Sequence, residues 1–235
     1  MVVPVSERGY QHPELLAETD WLADHQSDPT VRVIDARSAD DYAAGHIPGA
    51  LHLDFNLGGL RTGPGMPEPA AFAELAGSLG IDESVTVVLY DDRGPTAGQA
   101  AWAFRYYGHA ATRFLDGGIT KWLAESRPLS TDVPSVAART FSPQLNESTY
   151  CDLDQARAAI DDPGVVVWDT RSFEEFEGTL ARGNPEDRLG HLPGAVHLDW
   201  VELLDADSHT LKPAPELATL LAAHGITPES VVAAY

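Results

Sequence analysis

The sequence predicts an α/β protein made of two similar domains, each with a mostly parallel sheet flanked by helices. Three observations lead to this prediction. A long stretch of the chain returns in a second copy, and each copy alternates short apolar runs with helix-like segments. In addition, 43% of the 235 residues are hydrophobic, which is enough to bury two cores.

The repeat begins at Val31 and at Val165. The first copy is VRVIDARSADDYAAGHIPGALHLDF; the second is VVVWDTRSFEEFEG and, after an interruption around TLARGNPEDR, RLGHLPGAVHLDW. The second copy carries 11 extra residues between its aspartate and its histidine. Both copies then reach an apolar run that ends in Tyr90 or Tyr235, each 44 positions after its histidine.

The elements of the first copy follow from their residue types. VRVID is a β-branched run that ends at a polar turn, which is typical of a buried strand. The segment around 70–80 predicts a helix ended by glycine, and VTVVLY predicts the next buried strand. Pro95 suits a helix start after the turn DDRGPT, and AGQAAWAFRYYGH predicts a helix that stops at Gly108.

The segment between the copies, RPLSTDVPSVAARTFSPQLNES, is rich in Pro, Ser and Thr and has no periodicity, which predicts a linker. We therefore expect a first domain at 1–127, a linker at 128–147 and a second domain at 148–235. The first copy continues past its tyrosine through a helix and DGGITKW, whereas the second stops at Tyr235. We expect the second domain to be incomplete at its C-terminal end and to close its core poorly.

Composition narrows the classes of partner and site. Fifteen Lys and Arg against 36 Asp and Glu leave a net charge of -21, so neither nucleic acid nor a membrane is an expected partner. No segment resembles a signal peptide or a membrane helix. The single cysteine, Cys151, excludes an internal disulfide, and the nine histidines show no metal-ligand spacing, so we expect no metal and a cytoplasmic location.

Two copies of D-x-R followed by G-H-[IL]-P-G-A, an apolar strand ending in tyrosine, and DGGITKW at 116–122 resemble the tandem-domain rhodanese sulfurtransferases of the thiosulfate and mercaptopyruvate types. The resemblance covers nearly the whole chain. It implies two rhodanese-like domains and no cofactor. It also implies that only the second domain carries the nucleophilic cysteine, in a loop directly after the strand that ends at Tyr235.

The resemblance therefore places the catalytic cysteine immediately after Tyr235, outside this chain, and we expect the chain alone to be inactive. Backbone N–H groups at a helix N-terminus would lower the pKa of that thiol. The counterpart of this position in the first copy is Asp91, so the first domain is expected to be catalytically silent. Cys151, at the start of a helix, is expected to be a partly buried structural cysteine.

Substrate binding is implied for the insertion of the second copy, where the family brings basic residues to an anionic donor. Arg182 and Arg188 supply positive charge there, and Arg188 best matches the donor-binding arginine. The alternative is a solvated surface arginine. Mercaptopyruvate-type members carry a second arginine where this chain has Glu175, which favours thiosulfate or another small inorganic donor.

The D-x-R pairs lie where a strand meets a turn. Asp169 with Arg171, like Asp35 with Arg37, predicts an ion pair or capping network. The functional alternative is that Asp169 and Arg171 support the active-site loop through their charges. His46 precedes I-P-G, so its imidazole is expected to bond the backbone of a tight turn, with an active-site role as the alternative.

The expected function is transfer of a sulfane sulfur from thiosulfate, or from 3-mercaptopyruvate, through a cysteine persulfide to cyanide or a thiol acceptor. The alternative is a non-catalytic rhodanese-like module that binds partners or small anions. The residue after Tyr235 separates the two hypotheses. A phosphatase on the same fold would need a longer cysteine loop ending in arginine, for which the sequence offers no support.

Overall fold

The computed structural model describes residues 3–54, 57, 59–60, 65–93, 95–181 and 188–235. It contains two compact units. Unit 1 is Met1–Tyr150 with Asp207–Thr210, and unit 2 is Cys151–Ala206 with Leu211–Tyr235. The domain bounds expected from the sequence, 1–127 and 148–235, stay predictions.

Unit 1 has a five-stranded sheet with helices on its connections. Its strands are β1 (Leu16–Ala17), β2 (Val31–Asp35), β3 (Leu51–His52), β4 (Thr86–Tyr90) and β5 (Thr112–Leu115). Its helices are α1 (Thr19–His25), α2 (Ala39–Ala44), α3 (Pro69–Ser78), α4 (Pro95–Tyr106) and α5 (Gly118–Ala124). The strand order is β1-β5-β4-β2-β3, and every neighbouring pair is parallel.

The core of unit 1 covers both faces of this sheet. Along β4, Val87 and Leu89 join one apolar cluster, while Val88 and Tyr90 join a second cluster. A strand buried on both faces needs an unbroken apolar run, which explains why VTVVLY shows no alternation. Burying each such valine or leucine side chain stabilises the fold by about 1.5–3 kcal/mol.

The segment predicted as a linker, 128–147, packs along unit 1. Phe141 is buried in the first apolar cluster, and the N–H of Gln144 donates to the carbonyl of Tyr107 at 2.9 Å. Gly108, after α4, has a φ of +90°, and a Cβ there would lie 2.4 Å from the carbonyl oxygen of Gln144. Only glycine permits this close approach.

Unit 2 repeats part of the same plan. Its elements are α6 (Leu153–Asp161), β6 (Val165–Asp169), α7 (Phe173–Phe176), β7 (Val196–His197), α8 (Ala214–Ala223) and β8 (Val231–Ala234). The sheet order is β7-β6-β8, again with parallel pairs. The predicted α/β architecture with parallel sheets is confirmed.

The buried core of unit 2 is small in the part of the chain that the structure describes. Its buried apolar side chains are Ala159, Val167, Leu198 and Ile226. Val231, at the start of β8, is 63% exposed. No helix among the described residues combines the length and apolar character that a bilayer span requires.

Candidate active site

The carboxyl ends of β6 and β8 lie side by side in unit 2. Trp168 pairs with Ala234, so Asp169 and Tyr235 follow at adjacent positions. The N–H of Tyr235 donates to the carbonyl of Trp168 at 3.0 Å, and the Tyr235 carbonyl accepts the Thr170 N–H at 3.0 Å. Open α/β sheets place their ligand sites at this edge.

Asp169 and Arg171 form the ion pair that the D-x-R spacing predicts. Asp169 is fully buried; its Oδ1 accepts the backbone N–H and Nε of Arg171 at 3.0 Å each, and its Oδ2 accepts Nη2 at 2.6 Å. Burial alone would raise the pKa of this carboxyl, but hydrogen bonds from Arg171 and Tyr235 hold the pKa below its ordinary value. Arg171 Nη2 also donates to the Gly190 carbonyl at 2.9 Å.

The Tyr235 hydroxyl joins the same network. It accepts the backbone N–H of Leu192 at 2.9 Å. The hydroxyl also contributes to the lowered pKa of the Asp169 carboxyl. The Arg171 guanidinium lies 5.3 Å from the centroid of the Tyr235 ring. Burial raises the pKa of the Tyr235 phenol, which therefore keeps its proton. The network connects the end of β6, the end of β8 and the segment 190–192.

A cavity of about 210 Å³ lies beside this network. Its lining residues are Arg171, Glu175, Leu180, Ala181, Arg188, Leu189 and Gly190. The structure thus brings Arg188, the predicted donor-binding residue, to the same cavity as Arg171. Arg182, the other predicted basic residue, lies outside the described residues.

Glu175 gives this cavity one carboxylate. Its Oε2 accepts the backbone N–H of Ser172 at 3.3 Å and the Ser172 hydroxyl at 3.0 Å, which forms a capping box at the start of α7. Glu175 therefore lines the same cavity as Arg171 and Arg188. The charge of Arg171 is balanced by its ion pair with Asp169, so Arg188 and Glu175 are the charged lining residues outside that pair.

Unit 1 contains the same network in a more buried form. Tyr90 donates its hydroxyl hydrogen to Asp35 Oδ2 at 2.7 Å and accepts the N–H of Ile47 at 3.0 Å. Arg37 Nη2 bonds Asp35 Oδ2 and the Gly45 carbonyl, both at 2.7 Å. The two units therefore place an aspartate, an arginine and a tyrosine at corresponding positions, and in both the tyrosine hydroxyl accepts a backbone N–H.

The residue after Tyr90 shows that this edge of the sheet accommodates a negative charge. Asp91 is buried, and its Oδ2 accepts the backbone N–H of Thr96 at 2.9 Å and of Ala97 at 3.0 Å, in the first turn of α4. Unpaired N–H groups and the dipole of a helix start favour negative charge. Asp91 places its own carboxylate there, in a cavity of about 470 Å³ that Arg37 also lines.

We expect Asp91→Ala to lower the free energy of unfolding of unit 1 by about 1 kcal/mol, because two first-turn N–H groups lose their acceptor. Asp91→Asn should cost less, since an amide oxygen still accepts but carries no charge. Urea unfolding followed by tryptophan fluorescence measures both losses. The exposed neighbour Asp92 provides the control, and equal losses for Asp91→Ala and Asp92→Ala would contradict the capping role.

Comparison with known proteins identifies the family to which this chain belongs. The protein-family model of the rhodanese-like domain matches residues 18–125 and 152–233, which together make up most of the chain. The chain belongs to the rhodanese family. The first match contains the whole network around Tyr90, and the second contains Asp169, Arg171, Gly190 and Leu192 and ends two residues before Tyr235. The predicted rhodanese-like fold is confirmed.

Relatives within the rhodanese family carry sulfur-transfer names. The chain is 37% identical to the sulfur carrier protein TtuD of Thermus thermophilus, over 97% of this chain and 84% of TtuD. It is 33% identical to a thiosulfate sulfurtransferase of Azotobacter vinelandii, over 93% and 80% of the two chains. The crystal structure of SseA from Escherichia coli, described as a 3-mercaptopyruvate sulfotransferase, superposes with a TM-score of 0.81 at 26% identity, covering 94% of this chain and 87% of SseA.

The histidines of the rhodanese motif bond the backbone. His46 is fully buried, with Nδ1 2.9 Å from the Tyr42 carbonyl and Nε2 2.9 Å from the Asp132 carbonyl. His191 Nδ1 lies 2.9 Å from the Phe176 carbonyl. These contacts agree with the expected backbone bonding of His46, and the alternative of an active-site role stays a prediction.

The expectation for Cys151 was wrong in one respect. Its side chain is exposed rather than partly buried, and its sulfur contacts only the neighbouring Asp152 carbonyl, at 3.7 Å, among the hydrogen bonds of the described residues. Asp152 is the N-cap of α6 and forms a capping box with Gln155, so Cys151 lies one residue outside the helix. An unperiodic position at a helix start carries no sequence signal for burial.

Sequence reasoning missed the role of the two tyrosine hydroxyls. Local pattern identifies Tyr90 and Tyr235 only as the last residues of apolar runs. A usable signal was present, since a tyrosine ends the run in both copies at the same distance from the motif histidine. An apolar strand end needs no hydroxyl for packing, so its repetition indicates a hydrogen-bonding partner.

Proposed function

We propose that the protein is a sulfurtransferase that moves a sulfane sulfur from a small anionic donor to cyanide or a thiol acceptor, through a persulfide on a cysteine that follows Tyr235. Thiosulfate is the proposed donor, with 3-mercaptopyruvate as the second candidate. The names of the relatives from Azotobacter vinelandii and Escherichia coli support this activity. They do not favour a non-catalytic binding module.

The observation that carries the proposal is the environment of Asp91. The networks around Tyr90 and Tyr235 match, so the residue after Tyr235 corresponds to Asp91. In unit 1 that position holds a negative charge against the first-turn amides of α4. A thiolate or persulfide at the corresponding position would receive the same stabilisation, and its pKa would fall.

The reaction balances without a cofactor. The thiolate attacks the outer sulfur of thiosulfate, a new sulfur–sulfur bond forms, and the old one breaks so that sulfite leaves with the electron pair. Cyanide then attacks the outer sulfur of the persulfide, thiocyanate leaves, and the thiolate is regenerated. Arg188 would hold the sulfonate-like end of the donor by charge-assisted hydrogen bonds, while Arg171 holds the Gly190 carbonyl beside it.

The test uses the gene product at its natural length. Its residue after Tyr235 is identified by peptide sequencing, and thiocyanate formation from thiosulfate and cyanide is measured. We expect a cysteine at that position, a mass gain of one sulfur atom after incubation with thiosulfate alone, and loss of both signals when that cysteine is replaced by serine. Any other residue at that position, or no thiocyanate, would refute the proposal and leave a binding module.

Donor preference is tested at Glu175. Glu175→Gln keeps the capping box, because glutamine serves equally at this helix position, but removes the negative charge from the cavity. We expect kcat/KM for 3-mercaptopyruvate to rise roughly two- to fivefold, since a half-exposed charge at this distance has a modest effect.

The control for that experiment is Glu174→Gln, on the same helix but outside the cavity lining. It should leave kcat/KM unchanged. If Glu174→Gln and Glu175→Gln change kcat/KM equally, a general charge effect of the acidic chain is the explanation, and Glu175 has no part in donor selection.

A further inference from the structure

The segment 188–192 begins at the end of the insertion of the second copy and is held by contacts at three consecutive residues. Gly190 accepts from Arg171 Nη2 at 2.9 Å, and the N–H of Leu192 donates to the Tyr235 hydroxyl at 2.9 Å. Between them, the His191 ring stacks on Phe176 with centroids 3.8 Å apart. Arg188 stands two residues before the first of these contacts.

These three contacts differ in what they connect. Arg171 and Phe176 follow β6, so their contacts attach the segment to that side of the unit. Tyr235 follows β8, the strand that leads toward the nucleophile under the proposed function. Its hydroxyl is therefore the direct contact that sets the distance between the Arg188 segment and the end of β8.

We propose, on the basis of the sulfurtransferase function above, that Tyr235 is a positioning residue for the reaction. Its hydroxyl fixes the segment 188–192 at the end of β8, so that a donor bound by Arg188 lies next to the residue that follows Tyr235. The tyrosine oxygen serves as the acceptor in this contact, because the Leu192 N–H donates to it at 2.9 Å.

Unit 1 provides a matched control for this proposal. The Tyr90 hydroxyl accepts the N–H of Ile47, as the Tyr235 hydroxyl accepts that of Leu192, and it donates to Asp35; Tyr90 is fully buried. The segment it holds follows α2 directly, without the insertion, and carries no counterpart of Arg188. Loss of the Tyr90 hydroxyl should therefore affect the stability of unit 1 without affecting donor binding.

The experiment compares Tyr235→Phe and Tyr90→Phe in the full-length enzyme. For Tyr235→Phe we expect KM for thiosulfate to rise roughly fivefold with a smaller change in kcat, and amide hydrogen exchange at Leu192 to accelerate about tenfold or more. For Tyr90→Phe we expect a lower unfolding midpoint and an unchanged KM. Arg171→Lys, which keeps the charge but loses the planar fork that reaches Gly190, should also raise KM.

Three results would overturn the positioning role. The first is a Tyr235→Phe variant in which neither KM nor the exchange of the Leu192 amide changes. The second is a Tyr235→Phe variant in which Leu192 exchanges faster but KM is unchanged, which would assign the hydroxyl to stability alone. The third is an equal rise of KM in both tyrosine variants. If the wild-type enzyme transfers no sulfur, the proposed function fails separately, and the exchange of Leu192 still tests the contact.

Discussion

Replacing Arg8 by methionine is expected to lower the free energy of unfolding of unit 1 by about 3–5 kcal/mol. Arg8 Nη2 lies 2.7 Å from Asp116 Oδ2, and the two side chains are 2% and 1% exposed. Arg8 Nε also donates to the Val3 carbonyl at 2.6 Å. Without the guanidinium, the Asp116 carboxylate stays buried but loses the charge that balances it, which is costly in a medium of low polarity.

The double variant Arg8→Met, Asp116→Leu tests the cause. It removes both charges, so we expect it to recover most of the loss, since two apolar side chains of similar volume replace the pair. Urea unfolding of the single and double variants gives the comparison. A single-variant loss below about 1 kcal/mol would indicate a hydrated pair of the surface type and contradict the prediction.

Replacing Arg188 by alanine is expected to raise KM for thiosulfate about 10- to 100-fold in the full-length enzyme, with a smaller change in kcat. Arg188 lines the 210 Å³ cavity together with Arg171, and its guanidinium can give an anion two parallel hydrogen bonds. Loss of such charge-assisted bonds changes affinity by this order. Arg188→Lys should fall between wild type and alanine, because an ammonium group lacks the planar fork.

Arg157→Ala is the matched control for Arg188. Arg157 is also in unit 2, 67% exposed, and pairs with Asp154 on α6 at 3.2 Å. Its removal takes away the same charge without touching the cavity, so KM should not change. Initial rates over a range of thiosulfate concentrations give KM for both variants and for the wild type. An unchanged KM in Arg188→Ala would make Arg188 a solvated surface residue, the alternative considered from the sequence.

The strands and helices near the site were predictable because their signals are local. The β-branched run VRVID predicts β2, and Pro95 predicts the first residue of α4. The burial of Phe141 in the segment 128–147 was not predictable in this way. Phe141 lies in the core of unit 1, and one aromatic residue in a Pro- and Ser-rich segment has no periodic neighbours to indicate burial.

In the site, too, contacts between near neighbours in the chain were predictable and contacts between distant residues were not. The ion pair of Asp169 and Arg171 follows from two residues at a strand end, so the D-x-R spacing is enough to predict it. The contact between Tyr235 and Leu192 joins positions 43 residues apart. No local pattern predicts which backbone N–H a tyrosine hydroxyl will meet at that separation.

The sequence by itself determined the repeat, the α/β alternation, the acidic charge and the ion pairs at the strand ends. These features depend on backbone preference, burial periodicity and contacts between near neighbours in the chain. Only the tertiary structure decided which segments Tyr90 and Tyr235 fix, and that Arg188 and Glu175 share one cavity with Arg171. The register of parallel strands sets those contacts, since it brings distant strand ends to one edge of the sheet.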